Sequence, residues 1–262
     1  MASGRMEFHS QSMMLHTNFS FILPNDVAME EVRDRKYYER EPLNLILLHG
    51  LTGTDTDWLY GSMVQWMAIQ YNLNVFMPTT GNTFYLDKGY EGANFLEYIA
   101  EELPGYIGKT FGISMKKENT IIGGLSMGGF GTLHAAISYP ERYLACIALS
   151  SALIVDRISS GDMDKVMPGQ MVRDIFDDPD KLPESDADLK YMYRKQKAAG
   201  KAMPKIYFAC GTEDGLIRAN HKLRDFLTEE GADFVYEEGP GRHDWAFWNE
   251  YLERGLRAVL PD

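Results

Sequence analysis

Apolar residues in this chain recur in two spacings that alternate from one end to the other. Near-continuous apolar runs of strand length occupy 43–50 ("LNLILLHG"), 73–78 ("LNVFMP"), 119–124 ("NTIIGG"), 143–150 ("YLACIALS") and 205–211 ("KIYFACG"). Runs of this kind fit strands buried on both faces. A further strand is predicted at 233–238 ("DFVYEE"), and 18–23 ("NFSFIL") alternates, as an early antiparallel strand would. Helical periodicity fills the intervals 57–70, 94–111, 127–139, 219–230 and 245–259. Strand and helix in alternation predict an α/β protein with a mostly parallel sheet covered by helices on both faces. In such a sheet the functional edge lies at the carboxyl ends of the strands. The stretch 155–203 breaks the rhythm with charge, proline and aspartate ("DDPDKLPESDADLK"). It reads as a cap-like insertion above the sheet, so that 1–262 is expected to be one domain. Its methionines, Met163, Met167, Met171 and Met192, could roof a compact apolar group.

Composition narrows the class. Hydrophobic residues make up 45% of the 262, enough for a packed core. The formal net charge of −12 argues against nucleic acid and anionic membrane surfaces as partners. No apolar run approaches the roughly 18 residues that span a bilayer. The opening "MASGRMEFHSQSMMLHT" has no continuous apolar stretch of the signal-peptide kind, so the expected location is cytoplasmic. Met6 reads as an alternative natural start, which would make Met1–Arg5 an added remnant. The two cysteines, Cys146 and Cys210, lie inside expected strands and read as buried thiols rather than a disulfide. Homo-oligomerisation is left open.

Gly124-Leu125-Ser126-Met127-Gly128 is a G-x-S-x-G pattern between an apolar strand and a helix. A serine at that junction is forced into a strained turn, and the glycines two before and two after let neighbouring backbone close in. The hydroxyl then stands clear of the sheet, beside the unpaired N–H groups of a helix start. Nucleophile and oxyanion donors can share such a corner. The bland alternative is a glycine-rich turn that only packs tightly. A dinucleotide fingerprint is set aside, because "GGLSMGGFG" lacks G-x-G-x-x-G spacing after a first strand.

A nucleophilic serine needs a base, and the base an orienting acid. Of the six histidines, His243 alone follows the last expected strand, in the tight loop "EEGPGRHDWAFW". The loop "CGTEDGL" offers Glu213 and Asp214, of which Asp214 is preferred, being one residue deeper into the loop. Asp244 is too close to His243 in sequence to reach its far nitrogen. The expected oxyanion donors are the N–H groups of Met127, next after the serine, and of Leu51 in "HGLTGTDTDW". His49 and Trp58 would shape that loop, and Phe84 and Tyr85, after the fourth strand, could stack on an aryl acyl group. No His, Cys and carboxylate set has metal-ligand spacing, so neither metal nor cofactor is expected.

The segments "LILLHGLTGTDTDW", "VFMPTTGNTFYLD", "FLEYIAEELPGYI", "IIGGLSMGGFGTLHAAISYPERYLACIALSSAL", "CGTEDGL" and "GRHDWAFW" together resemble the esterase D family of α/β-hydrolases. That family includes tributyrin-type acetylesterases, acetyl-xylan and feruloyl esterases, and S-formylglutathione hydrolases. The tributyrin-type acetylesterases are the nearest in motif. Thr52 and Thr54 stand where S-formylglutathione hydrolases usually carry a cysteine. The resemblance implies a serine hydrolase without cofactor, acting on short acyl or aryl acyl esters, acylated carbohydrates among them. By motif it carries over Ser126, Asp214, His243, Leu51 and Met127. Alternatives are a feruloyl esterase, an S-formylglutathione hydrolase-like thioesterase, an acyltransferase, and a non-catalytic ligand-binding relative.

Overall fold

The computed structural model describes the chain apart from Asp34, Asp156, Arg157, residues 159–166 and Asp262. Eight strands form one sheet: β1 (Ala2–Ser10), β2 (Leu15–Leu23), β3 (Leu43–Leu48), β4 (Leu73–Pro78), β5 (Thr120–Leu125), β6 (Ala145–Leu149), β7 (Lys205–Gly211) and β8 (Phe234–Gly239). Their order is β1-β2-β4-β3-β5-β6-β7-β8. β1 and β2 are antiparallel to their neighbours, and β3 to β8 run parallel. Helices of eight residues or more are α1 (Val64–Tyr71), α2 (Leu103–Phe111), α3 (Met127–Ser138), α4 (Gly169–Phe176), α5 (Leu189–Ala198), α6 (Ile217–Glu229) and α7 (Trp245–Val259).

Alternation along each strand divides the core between the two faces of the sheet. Ile46, Leu48, Ile122 and Phe208 pack with α3 residues Phe130 and Leu133 on one side. Leu45, Leu47, Ile121 and Tyr207 pack with Met67 of α1 and Trp248 and Leu252 of α7 on the other. Every residue of β3, β4, β5 and β6 is buried, as their unbroken apolar runs require.

Two expectations are corrected. Residues 57–70 are two helices, Asp57–Gly61 and α1. Ser62 is extended between them and its hydroxyl accepts from the Val64 N–H at 3.1 Å, starting the second helix afresh. The 94–111 helix contains a π turn at Tyr98–Glu102, just before Pro104, whose ring cannot fit a regular helical turn. The first residues are part of the sheet. Ala2 to Arg5 pair with Leu23 to Ser20 on β2, and Arg5 donates to the fully buried Asp55 at 2.7 and 3.0 Å.

The insertion contributes α4, α5 and connecting turns among its described residues. Val172, Ile175, Phe176, Met192 and Tyr193 join the same core cluster as α3, and Met167 is buried there too. Met171 is half-buried against the same cluster, and Met163 lies outside the described residues. A cavity of about 660 Å³ opens between Leu86–Lys88, the end of α3 and this insertion, with no triad candidate in its lining. Among the described residues no helix is long and apolar enough to cross a membrane.

Candidate active site

β5 ends at Leu125 and α3 begins at Met127, so Ser126 alone makes the turn. Its backbone sits at φ 56°, ψ −116°. That region costs a residue with a side chain about 1–3 kcal/mol and persists only where the surroundings enforce it. Here the Ser126 N–H donates to the Leu149 carbonyl at 2.9 Å. Its own carbonyl accepts from Phe130 at 3.1 Å and Ala152 at 2.9 Å. Backbone crowding explains the flanking glycines. A Cβ on Gly124 would collide with the Gly128 carbonyl, and one on Gly128 with the carbonyls of Leu48 and His49.

The candidate base and acid, His243 and Asp214, lie on two loops tied to each other. Thr212 N–H donates to Gly239 O at 2.9 Å, and Glu213 N–H to Gly241 O at 3.0 Å. The loop after β7 is thereby registered against the loop after β8, which carries His243. His243 Nε2 lies 3.0 Å from Ser126 Oγ, and its Nδ1 lies 2.8 Å from Asp214 Oδ2. The other Asp214 oxygen accepts from Leu216 N–H at 2.8 Å. Burial by itself would raise the Asp214 pKa. The hydrogen bonds from His243 and the Leu216 amide outweigh it and hold the carboxyl below its usual range. Asp214 is 3% exposed. Glu213 instead points outward to Arg242 at 3.1 Å, with 56% of its side chain exposed. Asp244 turns away to cap α7, accepting from Phe247 N–H at 3.1 Å.

Met127 is the first residue of α3, so its N–H has no acceptor within the helix. Gly50 places the second expected donor nearby. A Cβ there would lie 2.8 Å from Leu125 Cδ1 and 3.5 Å from Ser126 Cβ, which brings the chain entering Leu51 alongside the serine. The loop is held open by side chains. Asn82 Oδ1 accepts from Thr52 N–H at 2.7 Å, and Gly53 N–H closes a turn on Gly50 O at 3.0 Å. His49 Nε2 accepts from Thr80 N–H at 3.2 Å, which leaves Nδ1–H to donate to Gly50 O at 2.8 Å. Burial lowers the pKa of this ring against the pull of that carbonyl, keeping it neutral.

His49, Trp58, Phe84 and Tyr85 were expected to shape the loop or contact substrate. All four are at most 1% exposed. Trp58 Nε1 donates to Leu48 O at 3.1 Å and Tyr85 OH to His49 O at 2.9 Å. Phe84 packs between Phe130 and Phe176 at centroid distances of 5.6 and 4.9 Å. Trp58 and Tyr85 thus hold the end of β3 and the residue after it, and the expectation that Phe84 and Tyr85 stack on an acyl group is corrected: their rings are closed off from solvent. The remaining histidines are elsewhere. His9 and His16 face each other across the β1–β2 hairpin, His134 is buried in α3, and His221 pairs with Glu238 at 2.6 Å on the surface. Cys146 and Cys210 are buried and free.

Sequence reasoning missed two loop anchors. Neither Asn82 nor Asp55 was singled out; Asp55 is fully buried, accepting from Arg5, from Ser20 at 2.7 Å and from Thr79 at 3.0 Å. Its partners come from three separate segments, and no local pattern announces them. Among the described residues no group of three or more His, Cys, Asp or Glu could hold a metal ion.

The parallel sheet, the strained serine after β5 and the loops after β7 and β8 define an α/β-hydrolase fold. The family model described as "Putative esterase" matches residues 10–259, and the chain belongs to that esterase family. It is 38% identical over 256 residues to an acetyl esterase of Caldicellulosiruptor saccharolyticus, with 96% of each chain covered. Among solved structures it resembles the substrate-bound fluorophosphonate-binding serine hydrolase FphF of Staphylococcus aureus. The TM-score is 0.85 and the identity 27%, over 100% of this chain and 99% of that one. The apoenzyme of S-formylglutathione hydrolase (FrmB) from Staphylococcus aureus is also similar, with a TM-score of 0.83 and 26% identity over 98% of each chain. The chain is a serine carboxylic ester hydrolase.

Proposed function

We propose that Ser126, His243 and Asp214 act as the catalytic triad of a carboxylesterase for short acyl esters, acetyl to butyryl, on small alcohols or acylated carbohydrates. One observation carries the triad assignment: the His243 ring bridges Ser126 Oγ and the buried Asp214 with both nitrogens in hydrogen-bond reach. His243 takes the serine proton as Oγ attacks the ester carbonyl. Asp214 holds the ring with Nδ1 protonated and stabilises the imidazolium that forms. The N–H groups of Leu51 and Met127 receive the oxyanion. The protonated ring then gives its proton to the leaving alcohol, and water enters to release the acid by the same path in reverse.

The 38% identity to an acetyl esterase across nearly the whole chain supports a short acyl group. A second reading, thioester hydrolysis, draws on the likeness to an S-formylglutathione hydrolase. Rates along a p-nitrophenyl series from acetyl to decanoyl, with S-formylglutathione and methyl ferulate alongside, separate these readings. The proposal expects kcat/KM to peak between acetyl and butyryl. A peak at octanoyl or beyond, or an S-formylglutathione rate far above all of them, would contradict it.

A further inference from the structure

The cavity of about 660 Å³ beside the insertion is walled on one side by the far half of α3. His134 and Ser138 both line it, four residues apart and so on one face of that helix. At about 1.5 Å of rise per residue, His134 lies about 12 Å along the helix from Ser126. The His134 ring packs beside Phe130, with 5.7 Å between centroids. It is 1% exposed, and neither of its nitrogens has a hydrogen-bond partner among the described residues. The Ser138 hydroxyl is buried and without a partner as well, although a helical serine can bond back to the carbonyl one turn before it. Buried polar side chains are nearly always paired, so two orphans on one wall of one cavity point to a ligand that pairs them.

The lining defines the chemistry of that ligand. Burial pushes the His134 ring down to about 4, so near pH 7 it is neutral and offers one donor and one acceptor. Ser138 Oγ also both donates and accepts. The charges around them cancel in pairs. Lys88 meets Asp177 at 3.1 Å, Lys181 meets Asp178 at 3.3 Å, Lys195 meets Asp186 at 3.8 Å and Lys201 meets Glu141 at 3.2 Å. The fifth carboxylate, Asp87, accepts from the amides of Leu96 and Glu97 at 2.7 and 3.3 Å. No unmatched charge is left among the described lining residues to select an ion. Leu86, Leu96, Ile175, Phe176, Leu182 and Met192 supply apolar wall. Groups that both donate and accept, carried on a carbon skeleton with apolar faces, are the hydroxyls of a sugar or polyol. We propose that this cavity is a second binding site, apart from the triad, for a neutral hydroxylated compound of about monosaccharide size, with His134 and Ser138 bonding its hydroxyls. The volume falls within the roughly 300–1,000 Å³ of small-molecule sites. The proposal stands whether or not the triad reading does, because no triad candidate lines the cavity.

Ligand-observed NMR titrations of the full chain with D-xylose, D-glucose and glycerol, and with inorganic phosphate as the ionic control, test this. Saturable millimolar binding of at least one of the two sugars is expected. It should weaken about tenfold or more in His134→Phe and about threefold in Ser138→Ala. Both variants should keep kcat/KM on p-nitrophenyl acetate within about twofold and unfold no earlier than wild type, since each removes a buried polar group that has no partner to lose. Ser138→Ala deletes a single oxygen and keeps the test decisive should His134→Phe fold poorly. Labelling Ser126 with a fluorophosphonate should leave sugar binding as it was. Four results would each overturn the proposal. Binding unchanged in both variants would place the sugar elsewhere, and binding lost on labelling would place it in the reactive site. Phosphate bound more tightly than the sugars, and dependent on His134, would make this an anion site. No saturable binding would leave water as the occupant.

Discussion

The turn at Ser126 and the described part of the insertion at 155–203 both adjoin α3 and are built on opposite terms. Around Ser126 the constraints are backbone against backbone. Gly124 meets the Gly128 carbonyl, Gly128 meets Leu48 and His49, the Ser126 N–H is bonded to β6, and its carbonyl accepts from Phe130 and Ala152. In the insertion the constraints are side chains in an apolar cluster: Val172, Ile175, Phe176 and Met192. Side-chain packing can adjust by a rotamer, whereas a carbonyl in the path of a Cβ can yield only if the strand moves. The difference teaches where selectivity for chemistry resides. Loops at the strand ends hold the proposed triad, and the described part of the insertion joins the core cluster that includes α3.

The largest effect that would break this contrast concerns Ser126 itself. Ser126→Ala should lose about 10⁴-fold or more in kcat/KM on p-nitrophenyl acetate while its thermal unfolding stays close to wild type. Activity within tenfold of wild type would remove the turn from the chemistry altogether. Next comes the pair on the loop after β7. Asp214→Asn should cost about 10³–10⁴-fold by favouring the wrong imidazole tautomer. Glu213→Gln should stay within about threefold, since Glu213 only meets Arg242 at the surface. Equal losses in the two variants would mean that the loop acts as a unit and not through one carboxylate.

A third comparison sets stability in the two regions side by side. Gly128→Ala should destabilise by about 3 kcal/mol or more, or yield no soluble protein, because the added methyl collides with two carbonyls. Met192→Leu in α5 should cost less than about 1.5 kcal/mol and leave kcat/KM unchanged. Chemical denaturation of both variants checks the ranking. A Met192→Leu enzyme with an altered acyl preference would show that the insertion reaches the substrate after all.

Much of this molecule is legible in its sequence, for reasons that differ by region. β3 to β7 announce themselves because parallel strands buried on both faces are apolar along nearly their whole length. Ser126, Asp214 and His243 are legible because each sits at a strand end, where glycines and short polar runs interrupt an apolar pattern. The β1 strand is not. Its exposed and buried positions alternate over a polar composition ("ASGRMEFHS"), which periodicity alone does not separate from a loop. Phe84 and Tyr85 misled for a related reason: aromatics after a strand end look available to a ligand. Both are left-handed in backbone and turn inward, Tyr85 to reach the His49 carbonyl. Asp55 and its partners are illegible because they come together only once the hairpin, the oxyanion loop and the end of β4 are folded.

The central claim is that Ser126 is the nucleophile and that His243 activates it. It is tested most directly by intact-mass spectrometry of the protein after exposure to a fluorophosphonate, followed by peptide mapping. The account predicts one adduct per chain, located on Ser126, formed in step with loss of esterase activity and much more slowly in His243→Ala. An adduct on another residue, or full activity in the labelled protein, would contradict it.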